Sequence, residues 1–112
     1  MWQLAKSFHV NWLDAAERLL RKRDHYTQKA IRAEFDTNPF KGAIEFDAQK
    51  HRFVTPVSDK RFVVVWKLGK NEQENIEVQA VVPSQLISND PEEIREQVSE
   101  LVKLETKGAL NL

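Results

Sequence analysis

The sequence predicts an α+β domain in which a helical hairpin packs on a mainly antiparallel four-stranded sheet, with an additional C-terminal amphipathic helix. Three observations lead to this fold class. Apolar residues recur every three or four positions in the first third of the chain, as in amphipathic helices. The period changes to two in the middle of the chain, which is typical of strands. A helical stripe returns near the end, after the capping sequence Asp90-Pro91.

The helical hairpin is predicted over residues 11–22 and 25–36. The first apolar stripe consists of Trp12, Ala15, Ala16, Leu19 and Leu20. Asn11 is a suitable cap for the first helix, and Asp24 is suitable for the second. Asn38-Pro39 ends the second helix, because a residue before proline is disfavoured in the helical conformation. A single long helix is the alternative.

The strands are predicted from alternating apolar residues. Ile44 and Phe46 begin the pattern, and the segment 53–57 follows. The segment 61–68 contains Phe-Val-Val-Val-Trp, which is apolar on both faces and therefore indicates a central strand covered on both sides. The segment 76–82 alternates again until a proline ends it. The polar stretch between the last two segments predicts a turn.

The chain ends are less regular. Trp2, Leu4 and Phe8 alternate partly with polar residues, which indicates a short N-terminal strand only weakly. Residues 1–105 are expected to form a single domain, because 112 residues are too few for two compact domains. Residues 106–112 are expected to form a frayed tail.

The C-terminal helix is predicted over residues 91–105 and ends before Gly108. Its apolar stripe, expected to bind a partner or the chain's own sheet, is Ile94, Val98, Leu101 and Val102. We favour docking on the chain's own sheet, because it costs no association entropy. A partner protein and a homodimer that exchanges or pairs this helix are the alternatives. The outer face is acidic, so a second hypothesis places the helix beside basic strands, where it excludes phosphate.

Composition excludes several classes of protein. The chain has no Cys, which rules out disulfide frameworks, thiolate metal sites and cysteine nucleophiles. Its longest apolar run, 62–66, is far too short to span a membrane. The three His are scattered over separate predicted elements and the three Gly form no phosphate loop, so we expect no metal and no cofactor. A cytoplasmic protein without membrane contact is the expectation.

Charge is distributed unevenly along the chain. The totals of 17 basic and 17 acidic residues cancel, but residues 1–70 carry 14 Lys and Arg against 8 Asp and Glu. Residues 71–112 carry 3 against 9. Such asymmetry indicates an electrostatic partner for one half, or two halves that face each other. The alternative is that each half is solvated independently.

The candidate site is basic. Two basic segments flank the predicted strand at 53–57, and antiparallel pairing is expected to bring them together. Arg forks and Lys charges would then hold phosphate, and a histidine would act as general acid or base in RNA cleavage. The candidate catalytic residues are His51, Arg52 and Arg61, and the candidate RNA-binding residues are Lys50, Lys60 and Lys67. The alternative is that both segments are polar turns at strand ends.

The order of elements over about residues 2–84 resembles the RelE/ParE superfamily of bacterial toxins. The similar segments are Arg52-Phe53-Val54, Lys60-Arg61-Phe62-Val63-Val64-Val65-Trp66 and Ile76-Glu77-Val78-Gln79-Ala80-Val81-Val82. The resemblance implies a curved sheet and a role as the toxin-like component of a type II toxin–antitoxin system. In RelE-like members this means metal-independent cleavage of mRNA on the ribosome, and neutralisation by an antitoxin protein. ParE-like inhibition of gyrase is a weaker alternative.

The chain departs from the family pattern at the catalytic positions. The family's central-strand arginine follows the aromatic residue, whereas here Arg61 precedes Phe62. After the last strand the family places an arginine and a nearby tyrosine or histidine, but Pro83-Ser84-Gln85-Leu86 contains none. A non-catalytic protein-binding or regulatory module on the same scaffold is therefore the alternative to an endoribonuclease.

Overall fold

The computed structural model describes residues 9–69 and 75–108 of the chain. Within these residues, five strands form one sheet and three α-helices pack on it. The elements are β1 (His9–Trp12), α1 (Asp14–Arg21), α2 (His25–Thr37), β2 (Ile44–Asp47), β3 (Arg52–Val57), β4 (Phe62–Leu68), β5 (Asn75–Pro83) and α3 (Pro91–Thr106). A 3₁₀ turn, Ser84–Leu86, follows β5.

The strand order in the sheet is β1-β5-β4-β3-β2. Strands β2 to β5 pair antiparallel with their sequence neighbours, while β1 lies parallel to β5. The prediction of a mainly antiparallel sheet is therefore confirmed. β4 is the central strand, and four of its consecutive residues are buried, as its two-sided apolar run predicts.

Strand β1 corrects two sequence expectations. Within the described residues the sheet has five strands instead of four, and Asn11 lies inside β1 instead of capping the first helix. Trp12 pairs with Val78 of β5, and its ring makes an edge-to-face contact with Phe35. This pairing satisfies backbone groups along the free edge of β5, so the chain remains extended until Leu13 and α1 begins later than predicted. The weak strand signal at Trp2, Leu4 and Phe8 lies outside the described residues.

The two faces of the sheet carry separate apolar layers. One layer packs under the α1–α2 hairpin and includes Leu20, Phe35 and Trp66. The other packs under α3 and includes Val54, Val65 and Val98. Alternation along β4 supplies both layers, since successive side chains point to opposite faces. The hairpin thus covers one face of the sheet and α3 covers the other, while α1 reaches both layers, since Leu20 belongs to the first and Leu19 to the second.

The helix boundaries follow the predicted signals closely in α2 and α3. The Asp24 carboxylate accepts a hydrogen bond from the backbone N–H of Thr27 at 3.2 Å and caps α2. Asp90 occupies the N-cap position of α3 with Pro91 next to it, although the Asp90 side chain makes no capping hydrogen bond. Gly108 adopts a φ of 71°, and its N–H donates to the carbonyl of Glu105.

Candidate functional site

A groove lies between α1, α3 and the strands β3, β4 and β5. Its volume is about 470 Å³. The charged and polar side chains that line it are Arg18, Lys50, Arg52, Lys67, Gln79, Glu105 and Thr106. The apolar side chains are Leu13, Ala15, Leu19, Val65, Ala80, Val82, Val98, Leu101 and Val102. The groove therefore combines apolar walls with a floor that carries several cations.

The sheet register places three polar side chains on the groove floor. Arg52 of β3 pairs with Lys67 of β4, so these two cations are direct cross-strand neighbours. The register shifts opposite Val65 and Trp66, where Gln79 is an extra residue in β5. A bulge of this kind changes the alternation of side chains. As a result Gln79 and the following Ala80 both line the groove.

The hydrogen-bonding capacity of the Arg52 side chain is only partly used within the protein. Its guanidinium lies over the Phe46 ring, 5.0 Å from the centroid, and its Nη1 is 3.9 Å from Oδ2 of Asp47. The Arg52 Nε atom is shielded from solvent and has no hydrogen-bond partner, and the same holds for Oε1 of Gln79. Burial of an unpaired polar group costs about 1–3 kcal/mol. Buried unpaired groups are rare in folded proteins, so these two atoms make Arg52 and Gln79 candidates for contact with a bound ligand.

An ion pair connects the two helices at the mouth of the groove. The Nε and Nη2 atoms of Arg18 on α1 both donate to Oε2 of Glu105 on α3, at 3.0 and 2.6 Å. Glu105 is the one carboxylate among the lining residues, against four cations. The other acidic residues of α3 are exposed on its outer side: Glu92, Glu93, Glu96 and Glu100. The groove consequently carries a net positive charge although α3 is acidic.

Three of the six basic-site residues predicted from sequence meet in this groove. Lys50, Arg52 and Lys67 all line it. Lys60 and Arg61 do not, because they lie in the turn that joins β3 to β4 at the opposite end of both strands. The five residue steps from Arg52 to the end of β3 span about 17 Å. The expectation that the two basic segments meet is therefore wrong.

The turn at Lys60 and Arg61 has a structural role. The Arg61 guanidinium donates to the carbonyl and the hydroxyl of Ser58, and Ser58, Asp59 and Lys60 all have positive φ. The Ser84 hydroxyl donates to the carbonyl of Lys60 at 2.6 Å. These contacts stabilise a strained turn, which explains the side-chain direction of Arg61.

The three histidines are exposed and lie far apart in the sequence. His51 has a φ of 55° and is in the turn before β3, and its side chain does not line the groove. Its carbonyl accepts from the N–H of Leu68. Within residues 9–69 and 75–108, no group of three His, Cys, Asp or Glu side chains is arranged to hold a metal ion. No helix of the described segments is long and apolar enough to cross a membrane.

The apolar stripe of α3 is divided between the core and the groove. Ile94 and Val98 are buried against the chain's own sheet, in agreement with intramolecular docking. In this arrangement Ile94 has no surface to offer a partner. Leu101 is half-buried and Val102 is 44% exposed, and both line the groove. Any contact of this stripe with a partner is therefore made by its C-terminal half.

The comparisons with known proteins identify the fold. One solved structure that is similar is a chain of the toxin–antitoxin complex RelBE2 from Mycobacterium tuberculosis, with a TM-score of 0.57 and 12% sequence identity. The match covers 70% of this chain and 99% of that chain. This chain has a RelE-like fold. No protein-family model matches the sequence, and no curated protein matches it significantly.

Some groove residues of this RelE-like chain were not predicted as site residues. Arg18 lies in the last turn of α1 together with Arg21. Cations at this end of a helix are favourable for the helix dipole, so the sequence does not distinguish Arg18 as a site residue. Gln79 alternates with apolar residues like any solvent-facing strand position, and a bulge leaves no mark in such a pattern. Glu105 belongs to an acidic helix with several equivalent carboxylates. Only the packing of α1 and α3 on the sheet brings these three side chains together.

Proposed function

We propose that this chain is the toxin-like component of a bacterial type II toxin–antitoxin system, RelE-like, and that it acts on mRNA at the ribosome. The observation that carries the proposal is the groove on a RelE-like sheet, with four cations against one carboxylate. A similar chain comes from a toxin–antitoxin complex. RNA is the polyanion that we expect this positively charged groove to bind.

The groove has suitable side chains for an RNA backbone. The Arg52 guanidinium presents a planar set of donors that matches two phosphate oxygens, and Lys67 beside it adds a point charge. Lys50 at the rim adds a further cation. Contacts of this type position a nucleic acid without reading its bases. The apolar walls near Leu19 and Leu101 offer surface for ribose and base.

The proposed reaction is metal-independent endoribonucleolytic cleavage. Attack of a 2′-hydroxyl on the adjacent phosphate needs a proton acceptor, stabilisation of charge on the phosphate and a proton donor for the leaving oxygen. Arg52 and Lys67 supply the charge stabilisation. His51 is exposed in the turn that directly precedes Arg52, and imidazole is the side chain that acts most often as general acid or base, so we assign proton transfer to it. Arg52 and Lys67 then contribute to both binding and cleavage, whereas His51 contributes to cleavage alone.

Growth arrest tests the proposal directly. Induced expression of the chain in a bacterial host is expected to stop growth and to shorten reporter mRNA in a translation extract. The double substitution Arg52→Ala and Lys67→Ala is expected to remove both effects. Lys60→Ala is the matched control, because this exposed lysine lies at the far end of the same strands. A wild-type chain that is harmless and leaves mRNA intact refutes the proposal.

A separate substitution tests the catalytic assignment. His51→Asn is expected to abolish mRNA cleavage while the affinity for RNA stays within twofold of wild type. The matched control is His25→Asn, a substitution of another exposed histidine, which begins α2 and does not line the groove. Equal cleavage by wild type and the His51 variant removes this residue from the mechanism and leaves the RNA-binding part of the proposal intact.

A non-catalytic protein-binding module is the second candidate. It is favoured by the apolar walls of the groove, which match the apolar face of an amphipathic segment such as an antitoxin helix. Under this function, a co-expressed acidic partner forms a stable complex with the chain, and Val102→Asp weakens it. Stable complex formation without growth arrest or mRNA cleavage would favour this second function over the first.

A further inference from the structure

A second cavity continues the groove along the seam between α1 and α3. Its volume is about 450 Å³. It shares Arg18, Leu19, Glu105 and Thr106 with the groove, and it extends to Lys22, Lys107 and Gly108. The two cavities are therefore adjoining parts of one cleft. The first part ends on the sheet at Arg52 and Lys67, and the second ends at the C-terminus of α3.

The Arg18–Glu105 ion pair lies at the junction of the two parts. Cations are present on both sides of it, namely Lys50, Arg52 and Lys67 in the groove and Lys22 and Lys107 in the second cavity. The Arg18 side chain is 56% exposed, so its guanidinium is accessible from the cleft, whereas Glu105 is 17% exposed. The one carboxylate of the cleft thus occupies the donors of the central cation.

We infer that the cleft binds a stacked single-stranded RNA whose backbone passes from the groove across Arg18 into the second cavity, and that Glu105 competes with a phosphate for Arg18. The inference rests on the proposed function, which places RNA in the groove, and it adds the path and the length of the bound strand. The nine residue steps from Val98 to Lys107 span about 14 Å of helix. At the 3.4 Å axial spacing of a nucleotide in a stacked strand, this length corresponds to about four nucleotides.

The competition follows from simple electrostatics. A phosphate that approaches Arg18 meets the negative charge of Glu105 within hydrogen-bonding distance of the same guanidinium. The ion pair contributes little to stability, because its Arg18 side is exposed and solvent and salt screen it. Glu105→Gln keeps the shape and one amide oxygen as an acceptor for Arg18, but it removes the charge. The variant is therefore expected to gain one phosphate contact.

The experiment measures affinity for labelled oligouridylates of two, four and eight nucleotides by fluorescence anisotropy at several salt concentrations. Wild type is expected to bind the four-residue and eight-residue strands equally and at least tenfold more tightly than the dinucleotide. Glu105→Gln is expected to bind the eight-residue strand at least threefold more tightly and to steepen the plot of log K against log salt by about 0.7. Glu100→Gln is the matched control, because this carboxylate of α3 is exposed and lines neither cavity.

A second variant tests the proposed path of the RNA without changing the Arg18–Glu105 ion pair between α1 and α3. Lys107 follows the last residue of α3, so the substitution Lys107→Glu leaves the apolar core unchanged. It is expected to weaken binding of the eight-residue strand at least fivefold and to leave dinucleotide binding unchanged. Circular dichroism melting of each variant identifies any loss of folding.

Three results overturn the inference: equal affinity for the dinucleotide and the eight-residue strand, no change with Glu105→Gln, or no change with Lys107→Glu. An octaglutamate peptide is included as a competitor. If it binds more tightly than RNA and shows the same dependence on these residues, the occupant is an acidic protein segment and the inference fails. Failure of the proposed function is distinguishable, because it appears as absent growth arrest and intact mRNA, whereas these affinities are measured on the purified chain.

Discussion

A buried hydrogen-bond chain in the hairpin-side core allows a quantitative test of the structure. The Trp66 indole N–H donates to the Thr55 hydroxyl at 2.8 Å, and that hydroxyl donates to the Pro39 carbonyl. Trp66 and Thr55 are 0% and 1% exposed. Thr55→Val preserves the shape but leaves one donor and one acceptor unpaired. At about 1–3 kcal/mol for each buried unpaired group, the free energy of unfolding should fall by about 2–6 kcal/mol.

Urea and thermal unfolding measure this loss. A drop of about 2–6 kcal/mol corresponds to about 8–24 °C in Tm for a domain of this size. Thr55→Ser retains the hydroxyl and should cost about 1 kcal/mol, the contribution of the lost methyl group. Thr37→Val is the surface control, because its exposed hydroxyl bonds only to the carbonyl of Ala33, and it should change stability by less than about 0.5 kcal/mol. If Thr55→Val is as stable as wild type, the hydrogen-bond chain is refuted.

Three further substitutions test the helix packing, a cap and the groove. Val98→Ala removes two methyl groups from a side chain of α3 that is 1% exposed, and it should lower the free energy of unfolding in urea by about 2 kcal/mol. Val102→Ala, at a 44% exposed position, should change the free energy of unfolding by less than about 0.5 kcal/mol. Equal effects of the two substitutions would contradict the docking of α3. The side-chain and backbone hydrogen bonds from Thr27 lower the pKa of Asp24, so Asp24→Ala should reduce Tm above the pKa of the unfolded carboxyl. That difference should disappear as the pH falls through the lowered pKa of the folded chain, and a pH-independent difference in melting scans would exclude this cause. Gln79→Leu removes the unpaired Oε1 from the groove floor and should raise the free energy of unfolding by about 1–3 kcal/mol; a lower value in urea unfolding would show that Gln79 is satisfied.

Much of the fold was predictable from local patterns. Strands β2 to β5 follow period-two alternation, and the caps Asp24 and Asp90 mark the starts of α2 and α3. Strand β1 was missed for a physical reason. Its four residues include Trp12, which also fits the helical stripe of α1, and the strand exists because it pairs with β5 more than sixty residues away. Local propensity contains no information about such a partner.

The candidate site was predictable only by residue type. The sequence indicated basic residues around two strands, and Lys50, Arg52 and Lys67 do meet. From the sequence alone, Arg61 was as good a candidate for the site as Arg52. The register of the β3–β4 hairpin places Arg61 at the other end of β4. In an antiparallel hairpin the residues beside the turn are always farthest from the open end. The position of the turn, and not the charge, separated the two basic segments.

The sequence by itself determined the fold class, the two-sided burial of β4, the caps of α2 and α3 and the opposite charges of the two halves. Each of these depends on neighbours within a few residues. The tertiary structure decided which charges meet. It placed α3 on the groove side of the sheet, turned most of its carboxylates outward and left Glu105 facing Arg18. Convergence of this kind depends on register, bulges and layer packing, which are set by contacts between residues distant in the chain.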